Sequence, residues 1–140
     1  MGMYTELHFN AKLREDTPES VITVLKYMLD FKPGDPQPPL PDHPLFKTDR
    51  WLVMLSMDSY YFAADTHSTL RKDEINDDWY LCIRCNLKNY GSEIEKFIDW
   101  IDPYVDAFEG DFLGFSRYEE SEDPTLIRKR GVSENGEGSL

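Results

Sequence analysis

Residues 79–101, WYLCIRCNLKNYGSEIEKFIDWI, change from a two-residue to a helical hydrophobic period within one short stretch. A chain that does this has to lay a strand and a helix against the same core. Trp79, Leu81, Ile83, Cys85 and Leu87 share one side of an extended segment, and Tyr80, Cys82, Arg84, Asn86 and Lys88 share the other. The turn Asn89-Tyr90-Gly91 follows, and Ser92 with Glu95 has the spacing of a capping box. Ile94, Phe97, Ile98 and Ile101 then recur at helical spacing, with Val105 and Phe108 continuing the stripe. Asp102-Pro103 caps and restarts this helix, or kinks it.

The rest of the chain is read against that unit. Residues 3–13 alternate, with Met3, Thr5, Leu7, Phe9, Ala11 and Leu13 on one side, which predicts a half-buried strand. Thr17-Pro18 opens a first helix, whose apolar face is Val21, Val24, Leu25, Met28 and Leu29. Residues 31–50 hold six of the nine prolines and predict a stiff connection laid over the surface. Trp51–Met57, apolar on both faces, reads as a central strand, turned back by Asp58-Ser59 into a second strand at Tyr60–Ala63. Residues 65–78 read as an exposed polar connection. Residues 111–120 predict a strand in which Gly114 allows close packing or a bulge, and Thr125–Arg128 a short edge strand.

The expected fold is therefore α+β, a single-domain two-layer sandwich with two helices on one face of a mainly antiparallel sheet. The expected order is β-α-β-β-β-α-β(-β). The domain spans residues 1–130, and residues 131–140 form a flexible tail.

Charge narrows the function. A formal net charge of -12 argues against direct binding to nucleic acid or to an anionic membrane, because both require an excess of lysine and arginine. It favours a basic protein as partner, and leaves a homodimer open. No apolar run approaches the ~18 residues of a membrane span, and residues 1–9 lack a signal-peptide pattern. Two cysteines provide no disulfide framework, so a cytoplasmic setting is expected.

Little in the chain looks catalytic. Cys82 and Cys85 form a C-x-x-C, yet on a strand their side chains leave opposite faces, so they cannot converge on a metal or act as a redox pair. Asp58, Ser59 and His67 are a hydrolase set only in name, since no glycine-framed nucleophile elbow holds the serine. His8 falls on the wet side of its strand, and His43 has no metal-ligand spacing. No calcium loop and no glycine-rich phosphate loop is present, so neither metal nor cofactor is expected.

The pattern that carries a functional reading is acidic. Glu95, Asp99, Asp102, Asp106 and Glu109 recur every three or four residues, forming one ridge if the helix continues through Pro103. Residues 93–123 hold eleven carboxylates against Lys96 and Arg117. Such a ridge, flanked by Trp100 and Tyr104 as aromatic anchors, suits a non-enzymatic inhibitor or immunity protein that docks a basic, nucleic-acid-binding surface. The alternative is a small-molecule or nucleotide binder that uses Tyr60, Tyr61, Trp79, Arg84 and Arg117. A small hydrolase-type enzyme ranks behind both.

Several stretches also carry a resemblance: the start MYTEL, PDHPLF, DSYYF, IRCNLKNYGSEIEKFIDWI, and the ending GDFLGFSRYEE with PTLI. Together they resemble small uncharacterised acidic proteins of phages, prophages and other bacterial mobile elements, over most of residues 3–128. The resemblance implies a bacterial or phage cytosolic setting and no assigned activity; the anti-defence role belongs to the inhibitor reading of the acidic ridge. It assigns no catalytic residue.

Overall fold

Thr5–Lys12 (β1) is the middle strand of a five-stranded antiparallel sheet, in a computed structural model that describes residues 3–59, 62 and 65–131. Asp78–Leu87 (β3) flanks it on one side and Phe112–Tyr118 (β4) on the other. Thr69–Asp73 (β2) and Thr125–Arg128 (β5) are the edges, so the spatial order is β2-β3-β1-β4-β5. Leu7 lies opposite Cys85 and Ser116, and Phe9 opposite Ile83 and Gly114, which puts these side chains on one face. That face is covered by two helices, Glu19–Leu29 (α1) and Glu93–Ile101 (α2). Phe9 meets Phe97 of α2 edge-on, with ring centroids 6.1 Å apart. The fold is thus α+β with two helices on one face of an antiparallel sheet. No helix among the described residues is long and apolar enough to cross a membrane.

The element order differs from the expected one at the middle of the chain. Trp51–Met57 is not a central strand; it makes a turn and then a 3₁₀ turn at Met54–Ser56. Trp51, Met54 and Leu55 are the buried residues there, a helical i, i+3, i+4 spacing hidden inside a continuous apolar run. Of the expected return strand, Tyr60, Tyr61 and Ala63 lie outside the described residues, and Phe62 is buried in a bend. The stretch read as an exposed connection instead supplies β2, an edge strand whose polar side chains are mostly wet. The observed order is β-α-β-β-α-β-β.

The proline-rich segment is also more than a surface strap. A 3₁₀ turn at Pro44–Lys47 drives Leu45 and Phe46 into the core, where Phe46 packs edge-on against Trp51 and Trp100. Its entry is held by His43, whose Nδ1 accepts from the Leu45 N–H at 3.0 Å.

Both helix starts depart from the spacing rules. Thr17 does not cap α1; its hydroxyl donates to the Arg14 carbonyl, and Pro18 stands in the capping position with its carbonyl accepting from Val21. Ser92 is left-handed at φ 56 and makes no side-chain cap. Asn89 replaces it: Oδ1 accepts from the Ile94 N–H at 2.8 Å and Nδ2 donates to Glu95 at 2.8 Å. α2 ends at Ile101, a 3₁₀ turn occupies Asp102–Tyr104, and Val105 bridges to Leu13. Phe108, read as part of the apolar stripe, is therefore exposed. The expected flexible tail from residue 132 onward lies outside the described residues.

Candidate interaction surface

The early end of α2 takes the acidic ridge apart. Asp102 sits in the 3₁₀ turn and points inward, buried, with Lys129 Nζ at 3.1 Å. Asp99 accepts from Arg130 Nη1 at 2.9 Å and contacts His43 Nε2 at 2.9 Å. Its carboxyl is held below the usual range chiefly by the His43 hydrogen bond, opposed next by burial and helped by the hydrogen bond and charge of Arg130. Asp106 lies 3.4 Å from Lys12. Asp99, Asp102 and Asp106 instead wall a cleft of about 480 Å³ together with Arg14, Lys129 and Arg130. Glu109 lies against Gly131. Three of the five ridge carboxylates are thus neutralised within the molecule by cations that lie far away in sequence, which a local count of charge cannot reveal.

The aromatic anchors fail for a related reason. Trp100 is buried at 5% exposure, its ring edge-on to Phe46 at 5.1 Å. Tyr104 is half-buried against the core, and its carbonyl accepts from the Arg14 N–H. Trp100 is not free to enter a partner, and Tyr104 offers only part of its surface.

Glu95 belongs to a different place. It lines a groove of about 400 Å³ with Asn89, Tyr90, Tyr118, Asp123 and Thr125, at the end of the sheet where α2 begins and β4 turns into β5. No lysine or arginine lines this groove. Tyr90 and Tyr118 are exposed at 58% and 37%, although one face of the Tyr90 ring is taken within the molecule. The Tyr118 hydroxyl is pushed up by desolvation first and then by the nearby Glu120 and Glu119 carboxylates. Tyr90 already holds the Arg50 guanidinium 5.1 Å from its ring centre, a cation–π contact. Glu120 and Glu122 extend the negative rim along the β4–β5 turn. The signal in the sequence was weak: Tyr90 sits inside a turn and Tyr118 at a strand end, 28 residues apart in numbering.

The alternative ligand set does not converge. Arg84 and Arg117 both point to the helix-free face of the sheet, where Arg84 Nε donates to the Asp65 carbonyl and Arg117 Nε to Glu6, each at 2.7 Å. Trp79 lies against the core on the helix side, with Lys26 4.8 Å from its ring centre. Tyr60 and Tyr61 lie outside the described residues. On the helix-free face His8 stacks on Phe115 at 4.6 Å and contacts Glu6 at 3.1 Å, so it is half-buried and partnered rather than simply wet. Cys82 is exposed and Cys85 buried, on opposite faces as strand geometry requires. Among the described residues no group of three or more His, Cys, Asp or Glu side chains is placed to hold a metal ion.

The chain matches no family model, no curated protein and no solved structure.

Proposed function

We propose that this protein is a non-enzymatic acidic binding module, an inhibitor or immunity-type protein that occupies a basic, nucleic-acid-binding surface of a partner protein. The docking site in this reading is the Glu95–Asp123 groove with its two tyrosines and the acidic β4–β5 turn, not the helix-borne ridge. The carrying observation is that this groove combines carboxylates with two exposed tyrosines and has no lysine or arginine in its lining, with Arg50 alone lying over the Tyr90 ring. An arginine or lysine side chain meets there both a compensating charge and a π-face. Clustered charge of one sign also raises the rate of encounter with a basic partner. A cytoplasmic setting belongs to the same reading.

The test is capture from bacterial lysate at low and high salt, using the wild-type chain and two variants. One carries Glu95→Lys with Asp123→Lys; the other carries Glu15→Lys with Glu74→Lys, exposed carboxylates outside the groove lining. The expected result is a basic protein retained at low salt by the wild type and the second variant, lost by the first, and released from all as screening grows. Equal capture by both variants would place the binding elsewhere. No capture at either salt would turn the search to small molecules.

A further inference from the structure

β5 is an outermost strand, and charges of opposite sign flank its two ends. Glu122 and Asp123 precede it, and Arg128 and Arg130 close it; all four are exposed. Lys129 turns its N–H to the Asp111 carbonyl and accepts from the Gly110 N–H, so both of its main-chain groups face the β4 side. Strand alternation then directs the N–H and C=O of Leu126 and Arg128 to the open edge. Leu126 is 51% exposed there, next to Phe115 in the pairing register, and Phe112 is 57% exposed opposite Arg128. An edge with exposed apolar side chains and unpaired main-chain groups is a template for another strand.

We propose that β5 pairs antiparallel with β5 of a second copy about a two-fold axis normal to the sheet, joining two sheets into one of ten strands. Two-fold pairing is isologous, so each end of the strand meets the opposite end of its copy. Residues opposite each other must share a sheet face, which centres the axis on Leu126 or Ile127. A Leu126 centre sets Leu126 against its own copy and Glu122 against Arg130 of the copy. An Ile127 centre sets Leu126 against Arg128 of the copy and Asp123 one position from its Arg130. Either way the acidic entrance faces the basic exit, whereas parallel pairing would set like charges side by side. Arg130 gives one nitrogen to Asp99 and keeps further donors for this contact. Pro124, which has no N–H, limits how far the pairing extends before Thr125. The contact is small, so the dimer is weak and depends on concentration. The inference does not need the groove reading but shares Glu122 and Asp123 with it; Leu126 and Arg128 lie outside the groove lining, so changes there separate the two.

Sedimentation velocity on the full chain, over a concentration series reaching the millimolar range, tests it. The wild type is expected to pass from monomer to dimer. Leu126→Lys, which doubles a charge near the axis, should weaken the dimer at least tenfold. Glu122→Arg with Asp123→Arg, and separately Arg128→Glu with Arg130→Glu, should each do the same alone. Mixing these two reversed proteins in equal amounts should restore dimer, a rescue that a folding defect cannot produce; circular dichroism confirms that each variant is folded. A wild type that stays monomeric throughout, or a dimer indifferent to the substitutions, or reversed proteins that fail to rescue one another, would overturn the proposal.

Discussion

Lys129 Nζ lies 3.1 Å from Asp102 Oδ2, and only 7% and 8% of the two side chains are exposed. The other Asp102 oxygen accepts from the Arg130 N–H at 3.1 Å, and Lys129 also reaches the Arg130 carbonyl at 3.2 Å. This buried pair ties the strand leaving β5 to the end of α2, and both ions depend on each other for solvation. Asp102→Ala leaves an uncompensated ammonium in the interior and should cost about 3–5 kcal/mol. Asp102→Leu with Lys129→Met removes both charges and should cost far less than the single changes added together. Urea unfolding of the three variants measures this. A single Asp102→Ala loss below ~1 kcal/mol would mean that the pair is solvated in solution.

Gly114 touches the main chain of β1 directly. A methyl group there would overlap the His8 carbonyl oxygen and crowd the Phe9 Cα, both of them backbone atoms held in the sheet register. Relief requires the β1–β4 ladder to open, because no flexible side chain is available to move. Gly114→Ala should therefore destabilise the fold by about 1–3 kcal/mol or more, despite the helpful loss of chain entropy in the unfolded state. Thermal unfolding of the variant checks it, and an unchanged midpoint would show that the two strands do not approach so closely.

The two cysteines offer a direct readout of strand facing. Burial pushes the Cys85 thiol up, well above the ordinary range, whereas Cys82 is exposed. Since the thiolate is the reactive form, the native protein should titrate one fast thiol with a disulfide reagent at pH 8, and the second only after denaturant is added. Two fast thiols would contradict the register of β1 on β3.

Asp99 carries an acid-sensitive part of the stability. Its folded carboxyl is depressed by His43 and Arg130, so its contribution is fully present above the unfolded value of about 4 and is lost as pH falls through the lowered folded value. The carboxylate is largely exposed, so solvent screening keeps the effect modest. Asp99→Asn should be less stable than wild type at pH 7, and the gap should close below pH ~3. Unfolding midpoints measured across that range decide the matter; a gap independent of pH would assign the loss to packing instead.

What the sequence made legible were the segments with a pure period. β1, α1, β3 and the core stripe of α2 alternate or recur without interruption, and the sheet face of each residue follows from parity. Ambiguity came where two periods coincide. Trp51, Met54 and Leu55 fit a strand run and a helical turn equally, and the burial of Leu45 and Phe46 beneath the proline-rich segment decided which helix side needed cover. β2 was invisible because a short edge strand that gives the core a single apolar side chain, Leu70, shows no apolar alternation. The acidic ridge failed on range: its neutralising partners His43, Lys12, Lys129 and Arg130 lie 27 to 94 residues away, and only the fold brings them together. Tyr90, Tyr118 and Asp123 were missed for the same reason.

The start of α2 shows how a motif with the right spacing can still be the wrong cap. Ser92 and Glu95 satisfy the capping-box pattern, but a left-handed Ser92 cannot turn its hydroxyl onto the N–H groups of the first turn. Asn89, three residues earlier, closes the turn instead: it accepts from Ile94 and holds Glu95 with its amide, while Glu93 folds back to accept from the Gly91 N–H at 3.0 Å. Asn89→Ala should thus cost about 0.5–2 kcal/mol, the range of a lost cap, and Ser92→Gly should be neutral or stabilising because glycine tolerates a positive φ. Asn89 also lines the groove beside Glu95, so its loss frees that carboxylate and should alter partner capture as well as stability. Denaturant unfolding of the two variants separates the candidates. A large loss in Ser92→Gly with none in Asn89→Ala would return the cap to the serine and unmake the geometry of the groove's helical wall.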